Sequence, residues 1–475
     1  MEIRMEKETC ASIGTYGRDT VALPEEMGRN GENKHCPEAE TIKQAGEIQS
    51  KWDWIETDIW TKRMLTALEE GVKGNVWFSL IDKVYSKRNL EVAARQILAN
   101  RGSAGVDHVT VEAFARNLEG NIEGIQQGLK EGSYRPQTIR RVHIPKVGSK
   151  ELRPLGIPTV RDRVVQAALR QVIEPIFEHE FAESSYGFRP CRGCKDALRQ
   201  VERLLKTGYE YVVDADIKRY FDTISHKRLM EKVEERIADG RVNLLIAEFL
   251  KQRVLEELRE WQPEEGTPQG GAISPLLANI YLNELDHEME RIGYRMIRYA
   301  DDFVVMCRSK EEAEEALWKV KEWMETAGLE LHATKTRIVD MGEIGSGFDF
   351  LGYHFERTKR SGQIRKWPSA KTLKKMKDAI REKTKRCNGS SLGYIIARIN
   401  RQLKGWYEYF KHSYRLTFEF LDKWIRMRLR SILRKRRGGH GRGRGNDHFR
   451  WPNRYFTERG LFSLDAAHSG TVSPL

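Results

Sequence analysis

The sequence predicts an α+β fold around a ferredoxin-like core, and three observations carry that prediction. Residues 211–217 form an apolar, β-branched run ending in acids, Val212-Val-Asp214-Ala-Asp216-Ile217. Two short apolar strands, 294–298 and 303–307, flank Asp301 and Asp302, which is a hairpin signature. Stretches with helical spacing lie between and after these pieces, at about 227–252, 273–292 and 310–327. Strand, helix, hairpin and helix in that order make a split βαβ arrangement.

The rest of the chain is read in order. Residues 1–50 are rich in Gly, Glu, Asn and Thr and lack apolar periodicity, so they are expected to be flexible. From Trp52, Trp54 and Trp60 the pattern turns helical through Met64, Leu65 and Leu68 and on to Leu80, Ile81, Val84 and Tyr85. A turn-rich loop follows at 101–108. Between 134 and 158 short β-like pieces are punctuated by proline, and a helix is predicted from 161 to 177. Residues 261–269 read as a loop. Beyond Gly352 the chain reads as helical and basic, with helices at 369–386, 391–411 and 417–437. No internal repeat is visible.

With 475 residues the chain is too long for one ordinary core, and two or three domains are expected. No stretch reaches the ~18 apolar residues that would span a bilayer. The N-terminus has neither the apolar stretch of a secretory signal nor the acid-poor character of an import signal, which points to the cytoplasm. Six scattered cysteines, at 10, 36, 191, 194, 307 and 387, suit a reducing compartment, and the lone Cys191/Cys194 pair reads as a loop rather than a metal site. The formal charge is +13, which makes a polyanion the default partner. Its distribution is uneven. Residues 1–50 hold six basic and ten acidic side chains, a net of −4, whereas residues 401–450 hold fifteen and four, a net of +11. Trp406, Tyr407, Tyr409, Phe410 and Trp424 are interleaved with those cations, as in nucleic-acid-binding surfaces.

Asp301 and Asp302 at a tight turn repel each other and call for a cation or open solvent. A palm-like sheet would bring the strand 211–217 beside them, and Asp214 and Asp216 share one face of it, so one of the two can converge with the pair. Three carboxylates and no other ligand type suit Mg²⁺, which keeps waters and takes substrate phosphates as further ligands. Two such ions ~3.5–4 Å apart activate an attacking 3′-hydroxyl and stabilise a leaving pyrophosphate. No Walker-type phosphate loop is present.

A series of motifs in one order then makes the reading specific: Arg153-Pro-Leu-Gly-Ile-Pro158, Ser185-Tyr-Gly-Phe-Arg-Pro190, Asp216-Ile-Lys-Arg-Tyr-Phe-Asp222, Gly266-Thr-Pro-Gln-Gly-Gly271, Tyr299-Ala-Asp-Asp302, Leu331-His-Ala-Thr-Lys335, Phe350-Leu-Gly-Tyr353 and Gly405-Trp-Tyr-Glu-Tyr-Phe410. This set resembles a group II intron-encoded reverse transcriptase/maturase, over roughly residues 75–435. The resemblance implies a right-hand polymerase with fingers, a ferredoxin-like palm and a helical thumb or maturase (X) domain. It divides the chain into a flexible acidic segment (1–50), an N-terminal extension and fingers (51–210), a palm with some fingers elements (211–355), a thumb/domain X (356–437), and a basic glycine-rich linker with a C-terminal aromatic segment (438–475).

The resemblance further implies RNA-directed DNA polymerase activity with two Mg²⁺ ions held by Asp216, Asp301 and Asp302. It assigns Lys146, Arg153, Phe221, Gln269 and Lys335 to the incoming deoxynucleotide. Among these, Phe221 would act as the gate against a 2′-hydroxyl and Lys335 would lie near the pyrophosphate. Tyr299, Gly270, Gly271, Leu351 and Gly352 would face primer and template. Trp406, Tyr409, Lys404, Arg426 and Arg430 would face RNA on the thumb. The implied partners are intron RNA, an RNA template with a DNA primer, dNTPs and target DNA, with no membrane. Many relatives carry a C-terminal HNH nuclease with paired cysteines. No cysteine follows Cys387, so DNA cleavage by this chain is not expected. Two alternatives stay open at this point: a host-domesticated relative, and an RNA-binding splicing factor without polymerase activity.

Overall fold

The computed structural model describes residues 51–145, 152–359 and 361–471. The expectations for residues 1–50, for 472–475 and for Lys146 lie outside the described residues.

The central sheet has four antiparallel strands in the order β6-β7-β3-β8: β6 (Arg295–Tyr299), β7 (Asp302–Cys307), β3 (Tyr211–Asp216) and β8 (Arg337–Asp340). Helices α8 (Tyr220–Thr223), α9 (His226–Glu234), α10 (Gly240–Leu250) and α11 (Ser274–Arg291) separate β3 from β6, and α12 (Lys310–Thr326) separates β7 from β8. This is the predicted ferredoxin-like βαββαβ order, completed by β8.

Both faces of this sheet are covered, which is why β7 reads as a continuous apolar run. Side chains alternate across a strand. Val213, Ala215, Phe303, Val305 and Cys307 therefore join the large core with α11 and α12. Val212, Val304, Met306 and Ile297 join a second core with α7 (Cys194–Lys206) and a small sheet of β9 (Gly347–Phe350), β10 (Tyr353–Arg357) and β11 (Ile364–Pro368), in the order β11-β10-β9. The caps agree with local chemistry. Pro275 stands in the first turn of α11, and Ser309 caps α12 by accepting from Glu312 N–H.

N-terminal to the palm, α1 (Lys62–Glu70), α2 (Ile81–Val84), α3 (Lys87–Ala99), α4 (Val111–Arg116), α5 (Leu118–Glu131) and the long α6 (Val160–Glu180) pack into the large core. Beside them lies a four-stranded sheet in the order β2-β1-β4-β5, from β1 (Ile139–Pro145), β2 (Leu152–Ile157), β4 (Val254–Glu256) and β5 (Arg259–Trp261). Three helices follow the small sheet: α13 (Ala370–Lys383), α14 (Leu392–Phe410) and α15 (Leu416–Arg436). They bury their own core of Ile395, Ile399, Leu403, Phe418, Ile425 and Leu429.

Two expectations need correction. The chain does not become helical at Gly352: β10 (Tyr353–Arg357) and β11 (Ile364–Pro368) intervene, paired with each other and with β9 (Gly347–Phe350). Their charged outer faces hide the alternation of Tyr353 and Phe355, whose side chains are buried. Residues 438–471 do more than link. Trp451, Phe456, Leu461 and Leu464 belong to the helical core, on the short helices α16 (Asp447–Arg450), α17 (Asn453–Thr457) and α18 (Leu464–Thr471).

Among the described residues, no helix is long and apolar enough to cross a membrane.

Candidate active site

The β6–β7 register pairs Tyr299 with Asp302, leaving Ala300 and Asp301 as a two-residue turn. Ala300 takes the left-handed conformation that such a turn demands, with φ 60°. The β3–β7 register sets Asp216 directly opposite Asp302 and Asp214 opposite Val304. Asp214, Asp216 and Asp302 thus share one sheet face. Asp214 has a partner of its own, the Arg337 Nε at 3.5 Å.

Burial pushes Asp302 up to about 7, and the charges of Asp301, Asp214 and Asp216 add to the effect. Asp301 is also raised, by burial first, with Asp216 adding and Arg153 and Lys335 opposing. Asp214 rises to about 6 through burial, against the pull of Arg337. Lys335 Nζ lies 2.5 Å from Asp216 Oδ2. Crowded, partly buried carboxylates of this kind favour a nearby positive charge. Among the described residues, no three His, Cys, Asp or Glu side chains stand close enough to hold an ion as a group. The donor chemistry nevertheless fits an oxygen-liganded dication, with hard carboxylates on Asp214, Asp216, Asp301 and Asp302 and only Lys335 and Arg337 paired directly with them among the described residues.

A buried network that no single motif announced holds the turn from beneath. Arg298 is fully buried. Its Nε donates to Asp286 Oδ1 at 2.7 Å, Nη1 donates to Asn279 Oδ1 and to the Ala300 carbonyl at 3.0 Å each, and Nη2 donates to Ser185 Oγ at 2.8 Å. Asn279 Nδ2 in turn donates to the Gly187 carbonyl at 2.7 Å. A Cβ on Gly187 would lie 2.3 Å from Ala300 N, so only glycine lets the 185–190 loop press against the turn. Asn279 and Asp286 are seven residues apart on α11, two turns along one face. That spacing, with an arginine just before the acidic turn, is the signal from which the network was readable.

Of the residues expected around the nucleotide, Arg153 and Phe221 contact the 266–272 loop that carries Gln269, whereas Lys335 lies apart at Asp216. Arg153 Nε donates to Gln269 Oε1 at 2.8 Å, and Gly156 N–H donates to the Gln269 carbonyl at 2.7 Å. Gly270 has φ 124°, and a Cβ there would meet Gly156 O at 2.2 Å. Gly271 lies against Ser274 Oγ and Gln166 Oε1. Thr267 N–H donates to the Phe221 carbonyl at 2.7 Å, which fixes Phe221 beside the loop with its ring edge-on to Tyr220.

Leu351 and Gly352 form the turn between β9 and β10, with φ 48° and 79°. Tyr299 is half-buried, 6.3 Å from the Phe188 ring.

The five thumb residues do not form one surface. Lys404 is exposed. Trp406 is half-buried between the second core and the helical core, and Tyr409 is half-buried at the second core. Arg426 pairs with Asp422 at 3.0 Å. Arg430 is 2% exposed and donates to the Trp451 carbonyl at 2.8 Å and to Asn453 Oδ1 at 2.7 Å. An arginine in a basic helix looks like a surface residue until the chain beyond it folds back.

A four-stranded antiparallel sheet with acids paired across its central strands is the palm of a right-hand polymerase. The family profile for reverse transcriptase (RNA-dependent DNA polymerase) matches residues 144–355, and that for the group II intron maturase-specific domain matches 373–451. The group II intron-encoded protein LtrA of Lactococcus lactis subsp. cremoris is 33% identical over 342 residues, covering 58% of this chain and 56% of that protein. Protein YkfC of Escherichia coli K12 is 35% identical over 318 residues, covering 58% of this chain and 82% of that protein. Nuclear intron maturase 4 of Arabidopsis thaliana is 31% identical over 186 residues, 39% of this chain and 23% of that protein. The chain belongs to the group II intron-encoded reverse transcriptase family. Its match spans little more than half the length of the Lactococcus protein.

Proposed function

We propose that this chain is an RNA-directed DNA polymerase that also binds intron RNA as a maturase, supporting splicing and retrohoming of a group II intron. The observation that carries the reading is the cross-strand pair Asp216–Asp302 with Asp301 in the adjoining turn.

In this reading Asp216, Asp301 and Asp302 hold two Mg²⁺ ions. When bound, such ions lower the pKa of the primer 3′-hydroxyl and neutralise charge on the leaving pyrophosphate. The protein's own groups do the rest. Arg153 is exposed and presents its guanidinium to the triphosphate, with Gln269 holding its Nε. Phe221, pinned through its carbonyl to Thr267, stands under the sugar and excludes a 2′-hydroxyl. Lys335, freed from Asp216, is placed to give a proton to the leaving group. The close backbone approach at Gly270 and Gly271, together with Tyr299, Leu351 and Gly352, lines the path of primer and template. Intron RNA and target DNA meet the basic helical part, with Lys404 among the exposed cations, through phosphate contacts. A cytoplasmic ribonucleoprotein is the setting this reading implies.

Asp301→Asn is the direct test. Extension of a DNA primer on an RNA template should disappear while the Kd for group II intron RNA stays at the wild-type value. Extension surviving in Mg²⁺ would sink the assignment.

A further inference from the structure

We infer that His226 is a positioning residue for nucleotide selection, holding the 266–272 loop that carries Gln269 in fixed relation to Phe221. The inference rests on the proposed places of Gln269 and Phe221 at the incoming nucleotide and goes beyond them. It makes the choice between deoxy- and ribonucleotides depend on a buried imidazole in α9.

His226 opens α9, where Ser225 Oγ caps the helix by accepting from Arg228 N–H at 3.4 Å. The residue is buried, and its Nε2 lies 2.7 Å from the Gly266 carbonyl oxygen. A carbonyl only accepts, so Nε2 carries the proton and donates.

That bond falls on a peptide unit held from both ends. The Gly266–Thr267 peptide offers its C=O to His226, and its N–H donates to the Phe221 carbonyl at 2.7 Å. One residue earlier, Gly266 N–H donates to the Ile224 carbonyl at 2.7 Å, and Ser225 forms an antiparallel bridge with Glu265. These neighbouring ties are made by backbone. The His226 bond is made by a side chain, and a substitution removes it.

Gly266 is where the unit could turn over. Its φ is 88°, and a Cβ there would lie 2.9 Å from the carbonyl oxygens of both Phe221 and Asp222, so the close approach needs glycine. Glycine also leaves the backbone permissive, and its own preferences do not fix the plane of the next peptide. His226 fixes it. The orientation is then carried forward stiffly. Thr267 precedes a proline, which confines it to extended backbone. The Pro268 ring locks its own φ. Gln269 follows at once and is tied on its other side to β2, its carbonyl accepting from Gly156 N–H and its Oε1 from Arg153 Nε. The peptide that His226 holds thus sets where Gln269 stands relative to Phe221. Without the donor, the buried Gly266 carbonyl is left without its partner, a costly state that the peptide escapes by rotating. Thr267 N–H then leaves the Phe221 carbonyl.

The test uses the full chain with His226→Leu, which removes the donor, and His226→Gln, whose amide nitrogen reaches the place of Nε2. The ratio of kcat/KM for a dNTP to that for the matching rNTP should fall about tenfold in His226→Leu, the scale of one lost buried hydrogen bond. KM for the dNTP should rise by a larger factor than kcat falls. Amide exchange in the 266–272 loop, read by mass spectrometry, should quicken. His226→Gln should return all three toward wild type. A wild-type ratio in His226→Leu would overturn the inference. So would a loss shared by every readout that glutamine does not rescue, which is what general damage to the fold produces. Phe221→Ala in the same assay keeps the two roles apart: unchanged selectivity there alone would reject the gate, whereas unchanged selectivity in His226→Leu alone would reject the loop tie. Wild-type protein that extends no primer would refute the polymerase reading, while the exchange comparison would still decide whether His226 holds the loop.

Discussion

Arg298 donates through Nη1 to the Ala300 carbonyl at 3.0 Å, so the backbone of the turn bearing Asp301 is held by the strand that leads into it. The same guanidinium forms a fully buried ion pair with Asp286. One side chain therefore serves both the stability of the palm and the placement of its acids. Arg298→Met leaves Asp286 charged and uncompensated, at a cost of about 3–5 kcal/mol. Equilibrium unfolding in urea measures it. The double variant Arg298→Met/Asp286→Leu should regain most of the stability, because no buried charge remains, yet extend primers poorly, because Ala300 still lacks its donor. Full activity in the stable double variant would show that the turn needs no such support.

Phe221 is half-buried, its ring packed against the large core and Tyr220, with Thr267 N–H on its carbonyl. Phe221→Ala should leave the loop in place and open the space under the sugar. The ratio of kcat/KM for a dNTP to that for the matching rNTP should fall by about tenfold or more, each 1.4 kcal/mol of lost discrimination being a factor of ten. Unchanged sugar selectivity would reject the gate.

Lys335 now neutralises Asp216. If Lys335 has its proposed role, Lys335→Met removes both a competitor for the metal and a proton donor, so its two effects should diverge. Mn²⁺ binding should tighten, while single-turnover nucleotide addition should slow by about 10²-fold or more, as for loss of a general acid. Slower addition with weaker Mn²⁺ binding would mean that the lysine supports the carboxylates rather than standing in their way.

Lys404 and Arg430 should separate cleanly. Lys404→Ala should weaken intron RNA binding and lower the slope of log Kd against log salt by about one unit or less, as loss of one phosphate contact does. Arg430→Ala strips the Trp451 carbonyl and Asn453 of a buried donor and should cost about 1–3 kcal/mol of stability. At temperatures well below its Tm it should bind RNA like wild type. A reduced salt slope in Arg430→Ala would return that residue to the interface.

Local pattern made much of this protein legible. The alternation in 211–217, the apolar flanks of Asp301 and Asp302, and the helical spacing of 310–327 predicted the split βαβ core. The register then set Asp216 opposite Asp302 and Asp214 opposite Val304. These features depend on near neighbours and on periods of two or 3.6, which a sequence displays directly. The strands at 353–368 were hidden because charged residues alternate with the buried ones and mimic a basic helix.

Tertiary structure alone decided the rest. Arg430 turned inward because residues 438–471 fold back over it. Ser185 reached Arg298 across 113 residues, and Tyr409 reached Leu351 across 58. Sequence determined which residue types stand at each strand end and turn, because backbone preference is local. Which polar atom satisfies which was settled only by packing, since a buried donor takes whatever acceptor the folded chain brings to it.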